Sequence, residues 1–305
     1  EPYRRQRQMC IRDRYYGIIK ESGIGLACEE AARIILSENR PFSMETAACD
    51  EEYEPSSEYD SSFALQIFAA REAVFKILAK ESLSIHEKLI VILDMGSKIQ
   101  QCINTDEYDN IKSVVNDYLK EGIAHTLDET RNLSDSGQFE DISLQQGIRQ
   151  ILYPYEEMEV LNPEWEVILK DIIDSLFEQM SDEEYNILNE EFGTYMVSRA
   201  YEYRQLLEYL VFRYFAKSIY DYDFLGKCQM LVTNFFVIRQ MDIIRWLDNH
   251  REYSFKDRMD VVHIFSRQVE YSEDNIENLY EDFIFDDIFK TDSLIAILWI
   301  DSENI

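Results

Sequence analysis

The stretch that decides the fold is FLGKCQMLVTNFFVIRQMDIIRWLDN, residues 224–249. Its composition predicts one long apolar helix. The longest uncharged run within it, from Cys228 to Ile238, has eleven residues, whereas a membrane-spanning helix needs about 20. We therefore expect this helix to lie in the core of a folded domain and not in a membrane.

Helical signals continue on both sides of this stretch. Apolar residues recur at spacings of three and four, and S-x-x-E capping boxes begin at Ser84 and Ser181. From Ser181 to about Tyr220 we expect two helices or one bent helix, broken at Gly193. Nine Gly and five Pro are few for 305 residues, since average usage would give roughly 37. No strand–helix alternation is visible, so we predict an all-α, irregular multi-helix bundle with essentially no sheet.

Two acidic or polar segments, 43–62 and 130–142, have the composition of linkers. The second suggests a division into two helical subdomains, 15–130 and 131–305. Residues 4–14, RRQRQMCIRDR, resemble one translated reading frame of a sequencing-library adapter. We therefore interpret 1–14 as a non-native segment that packs on nothing, and the N-terminal subdomain as truncated.

Charge and cysteine usage limit the classes of partner and compartment. Sixty acidic and thirty basic residues give a formal charge of −30, which disfavours nucleic acid and anionic membranes and suits a cationic partner. The five Cys form no C-x-x-C pair, and no signal peptide is visible. We expect a cytoplasmic protein in a reducing compartment.

In the aromatic stretch 201–224, Tyr209, Phe212 and Phe215 have the spacing of helix-core residues, and Arg213 lies within the same apolar helix. A buried arginine needs an anion to offset its desolvation. Asp221 and Asp223 are structural candidates for that anion, and a bound ligand is the alternative. In a later helix, Arg267 and Glu270 are close enough along the chain to pair with each other.

Six ordered stretches resemble the flagellin lysine N-methylase family, and together they span most of residues 15–300. They are GIGLACEEAARIIL (23–36), AREAVFKILAKESLSIHEKL (70–89), YLVFRYFAKSIYDYDFLGK (209–227), VIRQMDIIRWL (237–247), FSRQVEYSEDNIENL (265–279) and LIAIL (294–298). The resemblance implies methyl transfer from S-adenosylmethionine to lysines of flagellin. It also implies an N-terminal cysteine region that holds an iron–sulfur cluster, and that region is absent here.

The resemblance also suggests roles for particular residues. Cys28 is the cluster ligand that this chain retains, Arg213 and Arg267 would bind substrate or cofactor, and Tyr214 and Glu270 would be catalytic. This assignment requires the two helices that carry these residues to face each other across one cavity. The alternative is a non-catalytic, acidic helical interaction module that docks a basic partner.

Overall fold

The computed structural model describes residues 11–16, 19–40, 42–44, 61–135 and 142–303. Most of the first predicted linker, 45–60, and part of the second, 136–141, lie outside the described residues. Within the described part, helix predominates strongly, so the predicted all-α fold class is confirmed.

The chain begins with two short strands and continues as helices, several of which end in a 3₁₀ or π turn. The elements are β1 Ile11–Tyr16, β2 Ile19–Ile24, α1 Glu29–Leu36, α2 Ser61–Leu78, α3 Ile85–Asn104, α4 Ile111–Asp117, α5 Ile123–Asp135, α6 Leu144–Glu156, α7 Pro163–Ile172, α8 Asp182–Met196, α9 Ala200–Tyr214, α10 Ser218–Asp221, α11 Phe224–Asp248, α12 Phe255–Phe265, α13 Glu273–Phe285 and α14 Thr291–Glu303.

Helix α11 is the centre of the molecule. Nearly all of its 25 residues are buried, as expected of a helix that is apolar on every side. Helices α3, α6, α7, α9 and α12 pack around it, and α14 packs on α3. The apolar core is continuous from Tyr16 to Trp299 and includes residues of both predicted subdomains.

Polar side chains inside α11 form hydrogen bonds to several of the surrounding helices. Asn234 accepts a hydrogen bond from the Tyr155 hydroxyl of α6 at 2.7 Å. Gln240 accepts one from the Tyr185 hydroxyl of α8 at 2.9 Å. Because a buried polar group without a partner is costly, these bonds fix which helix lies against which part of α11.

A buried ionic network, the Arg258 network, joins α9, α11 and α12. The Arg258 guanidinium donates to Glu202 at 2.9 Å and to Asp242 at 2.6 Å. Asp242 also accepts hydrogen bonds from the hydroxyls of Tyr203 and Tyr253. Arg258, Glu202 and Asp242 are almost completely inaccessible to solvent, so their charges depend on one another for stabilisation.

A second buried network surrounds Asp301 of α14. Its carboxylate accepts from Arg239 of α11 at 3.1 Å and from the amide of Asn189 of α8 at 2.5 Å. It also lies 2.6 Å from Nε2 of His86 of α3. Burial alone would raise the pKa of Asp301, but the charges of Arg239 and His86 lower it to about 2. This carboxylate is therefore ionised at neutral pH.

The strands β1 and β2 form an antiparallel hairpin that the sequence analysis did not predict. Tyr16 lies opposite Ile19, and Asp13 lies opposite Ser22, whose hydroxyl donates to the Asp13 carboxylate at 2.6 Å. Lys20 adds an ion pair to Asp13 at 3.2 Å. Cross-strand polar pairs of this kind stabilise a sheet register.

The hairpin is anchored to the helices on both of its strands. Glu21 of β2 forms a bidentate ion pair with Arg71 of α2. Arg14 of β1 donates to the backbone carbonyl of Arg213 at 2.5 Å. The expectation that residues 1–14 pack on nothing is therefore wrong for 11–14, and residues 1–10 lie outside the described residues.

Two helix ends also differ from the expectation. Helix α8 continues through Gly193 to Met196 and ends in a 3₁₀ turn, because Gly193 is buried inside the helix. Helix α5 extends to Asp135, which shortens the second predicted linker. None of the described helices is long and apolar enough to cross a membrane.

Candidate functional site

The π turn Ser266–Glu270, which follows α12, separates two of the predicted site residues. In a regular α-helix, Arg267 and Glu270 would lie on neighbouring positions of one face. The i→i+5 spacing of a π turn adds a residue to the turn and rotates them apart. Arg267 is consequently exposed, whereas Glu270 is buried against α9.

Three side chains from the end of α9 surround the Glu270 carboxylate. The Tyr209 hydroxyl donates to Oε2 of Glu270 at 2.7 Å, and the Tyr214 hydroxyl donates to the same oxygen at 3.3 Å. Nε of Arg213 lies 3.4 Å from that oxygen. We call these four residues, Tyr209, Arg213, Tyr214 and Glu270, the Glu270 cluster.

The two oxygens of the Glu270 carboxylate differ in their surroundings. Oε2 receives all three of the contacts from α9, whereas Oε1 is buried and has no hydrogen-bond partner among the described residues. A buried acceptor without a donor is uncommon in folded proteins. Oε1 therefore keeps the capacity to accept a hydrogen bond from a donor outside the described residues.

Burial and the Glu270 charge raise the pKa values of both tyrosines, Tyr209 and Tyr214, well above their usual range. Both phenols are therefore neutral at physiological pH and act as hydrogen-bond donors. They hold Oε2 in place and leave the charge of the carboxylate available at Oε1.

Lys217 lies beside this cluster, with its ammonium 5.3 Å from the centroid of the Tyr214 ring. Burial, followed by the charges of Arg213, Arg14 and Lys227, lowers the pKa of Lys217. It forms no ion pair within the described part of the chain. Its amine therefore loses a proton more readily than that of a solvated lysine.

The turn that carries Cys28 touches the cluster. The Tyr209 hydroxyl accepts a hydrogen bond from the backbone N–H of Leu26 at 3.4 Å, and Cys28 follows as the half-buried residue that precedes α1. No group of three or more Cys, His, Asp or Glu side chains that could hold a metal ion occurs among the described residues. An iron–sulfur cluster generally needs four ligands, so the described residues do not fit one.

Of the four residues predicted to be catalytic or to bind substrate or cofactor, the structure brings three together and separates the fourth. Tyr214 and Arg213 of α9 contact Glu270 of the π turn that follows α12. The cavity between the helices that the assignment also requires stays a prediction. Arg267 does not join them and does not pair with Glu270.

The anion that meets Arg213 is also not the one expected. Asp221 and Asp223 instead pair with Lys227, at 2.7 and 3.5 Å, because Asp221 ends α10 and Asp223 directly precedes α11. Glu270 provides the counter-ion of Arg213.

Tyr209 is a site residue that the sequence analysis interpreted only as core. Its spacing fits a buried helical face, and it is indeed buried. The signal that could have identified it is its position four residues before Arg213, which places both side chains on one face of α9.

Comparison with sequence models of protein families relates most of this chain to a known family. The sequence model of the FliB lysine N-methylase C-terminal domain matches residues 71–297. This range covers well over half of the chain and includes the whole Glu270 cluster. Comparisons with curated proteins and with solved structures found no match.

Proposed function

The chain belongs to the FliB lysine N-methylase C-terminal domain family, and on that premise we propose that it is the helical C-terminal portion of a protein-lysine N-methyltransferase. The methyl donor is S-adenosylmethionine, and the acceptors are lysine side chains of flagellin. The observation that carries the proposal is the buried Glu270 carboxylate, whose Oε1 has no partner among the described residues while Oε2 is held by α9.

The reaction requires a neutral amine, because the nitrogen lone pair of lysine must attack the methyl carbon of the donor. The N–C bond forms as the C–S bond breaks, and the bonding electrons move to sulfur, which becomes a neutral thioether. A free lysine has a pKa of about 10.4, so the site must accept a proton from its ammonium. Oε1 of Glu270 is the acceptor in this proposal.

The other members of the Glu270 cluster orient this carboxylate. Tyr209 and Tyr214 donate to Oε2, and Arg213 lies beside the same oxygen. Together they direct the unoccupied oxygen toward the incoming lysine and limit its movement. Tyr214 is thus a positioning residue, and Glu270 contacts the substrate.

Binding of the methyl donor by Arg213 and Arg267 stays a prediction. Arg213 already has Glu270 as its counter-ion, and Arg267 lies on the surface outside the cluster. The described residues do not fit an iron–sulfur cluster, so no step of the reaction is assigned to one. The cysteine region implied by the family resemblance, with Cys28 as a contributor, is likewise a proposal.

The test is a Glu270→Gln substitution in the complete protein, including its cysteine region. Wild-type protein, flagellin and S-adenosylmethionine are incubated, and methylated lysines are quantified by mass spectrometry. Glutamine keeps the shape of the side chain but cannot take the proton, so we expect kcat to fall about 100-fold or more.

Glu208→Gln is the matched control. Glu208 is a buried glutamate of α9 that pairs with Arg204 at 3.1 Å, outside the Glu270 cluster. The Glu208→Gln variant should lose about as much thermal stability as Glu270→Gln and keep its methyl-transfer activity. Methyl transfer within twofold of wild type in Glu270→Gln, or an equal loss in Glu208→Gln, would contradict the proposal.

A further inference from the structure

Large apolar side chains are exposed where α13 ends beside α6. Ile284 and Phe285 are the last two residues of α13, and their exposed fractions are 75% and 79%. Tyr153 of α6 is also about half exposed, and α6 and α13 are in contact. We call these three residues, Tyr153, Ile284 and Phe285, the Phe285 patch.

Carboxylates surround this patch. The Tyr153 hydroxyl donates to Glu157 at 2.9 Å, and the backbone N–H of Asp286, directly after Phe285, donates to the carbonyl of Asp282 at 2.9 Å. The acidic rim consists of Glu157, Glu281, Asp282 and Asp286. None of these four forms an ion pair with a described residue.

The rim carboxylates are close enough to affect one another. Burial and the charges of Asp286, Glu157 and Glu281 raise the pKa of Asp282. Like charges held this close repel each other, and a cation placed among them would relieve the repulsion. The rim is therefore complementary to positive charge.

We propose that the Phe285 patch and its acidic rim bind a basic amphipathic segment of a partner protein. Apolar side chains of that segment would cover Phe285 and Ile284, and its lysines or arginines would meet the rim. Large exposed apolar residues framed by polar ones are typical of a protein interaction site, and carboxylates that form no ion pair with a described residue select a cationic occupant. The inference goes beyond the proposed function, because it concerns binding and holds whether or not the chain transfers methyl groups.

The experiment measures binding of a fluorescent amphipathic peptide of leucine and lysine to the full chain by anisotropy. A peptide with the same pattern but glutamate for lysine is the charge control. We expect the basic peptide to bind more weakly as salt is raised, and the acidic peptide not to bind. Removing two apolar contacts in Ile284→Ser/Phe285→Ser should raise Kd about tenfold or more.

Two matched variants separate this surface from the general acidity of the chain. Leu65→Ser/Val197→Ser changes two apolar residues of similar exposure, 64% and 65%, elsewhere on the surface, and should leave Kd unchanged. Glu281→Gln/Asp286→Asn should raise Kd several-fold.

The control variant Glu121→Gln/Asp128→Asn neutralises two acidic residues, one just before α5 and one on it. It changes the net charge of the chain by the same amount as Glu281→Gln/Asp286→Asn and should not raise Kd. An equal effect of the two charge pairs, or no effect of the apolar pair, overturns the proposal. So does self-association of the chain through Phe285 without peptide binding.

Discussion

Replacing Arg258 by methionine removes the cation of the Arg258 network while keeping most of its volume. Two carboxylates, Glu202 and Asp242, would then remain buried without it. Part of their environment persists, because Arg199 still donates to Glu202 at 2.7 Å and Tyr203 still donates to Asp242 at 2.6 Å. The free energy of unfolding should nevertheless fall substantially.

The size of the loss follows from the burial of the network. Breaking a fully buried pair by removing one partner costs about 3–5 kcal/mol, because an uncompensated charge stays in the interior. Each kcal/mol lowers the Tm of a domain of 150–250 residues by roughly 2–4 °C. We therefore expect Arg258→Met to melt on the order of 10 °C below wild type.

Urea unfolding and thermal melts measure this effect, with Arg33→Met as the exposed control. Arg33 also forms an ion pair, to Glu30 at 2.7 Å, but both side chains are more than half exposed, so its loss should stay below about 0.5 kcal/mol.

Neutralising the carboxylates in Arg258→Met/Glu202→Gln/Asp242→Asn should recover most of the stability. The deficit of the single variant should also shrink as pH falls, because protonation removes the buried negative charge. If Arg258→Met loses less than about 1 kcal/mol, or if neutralisation restores nothing, the desolvation argument is refuted.

Two further outcomes follow from close contacts and from a lowered pKa. A Cβ at Gly96 would lie 2.5 Å from the sulfur of Cys228, whereas one at Gly25 would meet nothing within 4 Å. Gly96→Ala should therefore lose about 1–3 kcal/mol of unfolding free energy while Gly25→Ala stays near wild type, and equal values in urea unfolding would contradict this. Asp301 has a pKa lowered to about 2 and contributes about 2 kcal/mol to the free energy of unfolding. This contribution is fully present above pH 4 and disappears as pH falls toward 2. Asp301→Asn should flatten that part of the stability profile, and a profile as steep as that of wild type would assign the acid sensitivity to other carboxylates.

Local signals in the sequence were sufficient for much of the helical structure. Both capping boxes, at Ser84 and Ser181, are formed as predicted, because their bonds join residues only three apart. The apolar stretch 224–249 predicted a core helix from local information as well, because a helix of this composition has no broad polar face to expose to solvent. Gly193 misled the prediction, because a helix tolerates an isolated glycine at a cost of only about 1 kcal/mol.

Contacts between distant segments could not be inferred in this way. His86 and Asp301 are 215 residues apart and meet in one buried pair, and nothing near either residue indicates the other. The site shows the same limit. The requirement that Arg213 meet an anion follows from desolvation, whereas the choice of Glu270 over Asp221 depends on a π turn that rotates Glu270 inward.

The central position of α11 has a consequence for synthesis. The ribosome makes the chain from its N-terminus, so α3, α6, α7 and α9 all emerge before the helix that they enclose. Until residue 248 has left the ribosome, their apolar faces lack the partner that covers them in the finished protein. Such exposed intermediates are prone to aggregation. A nascent chain of this architecture therefore depends on chaperone binding, or on rapid completion, for longer than one whose core forms from neighbouring segments.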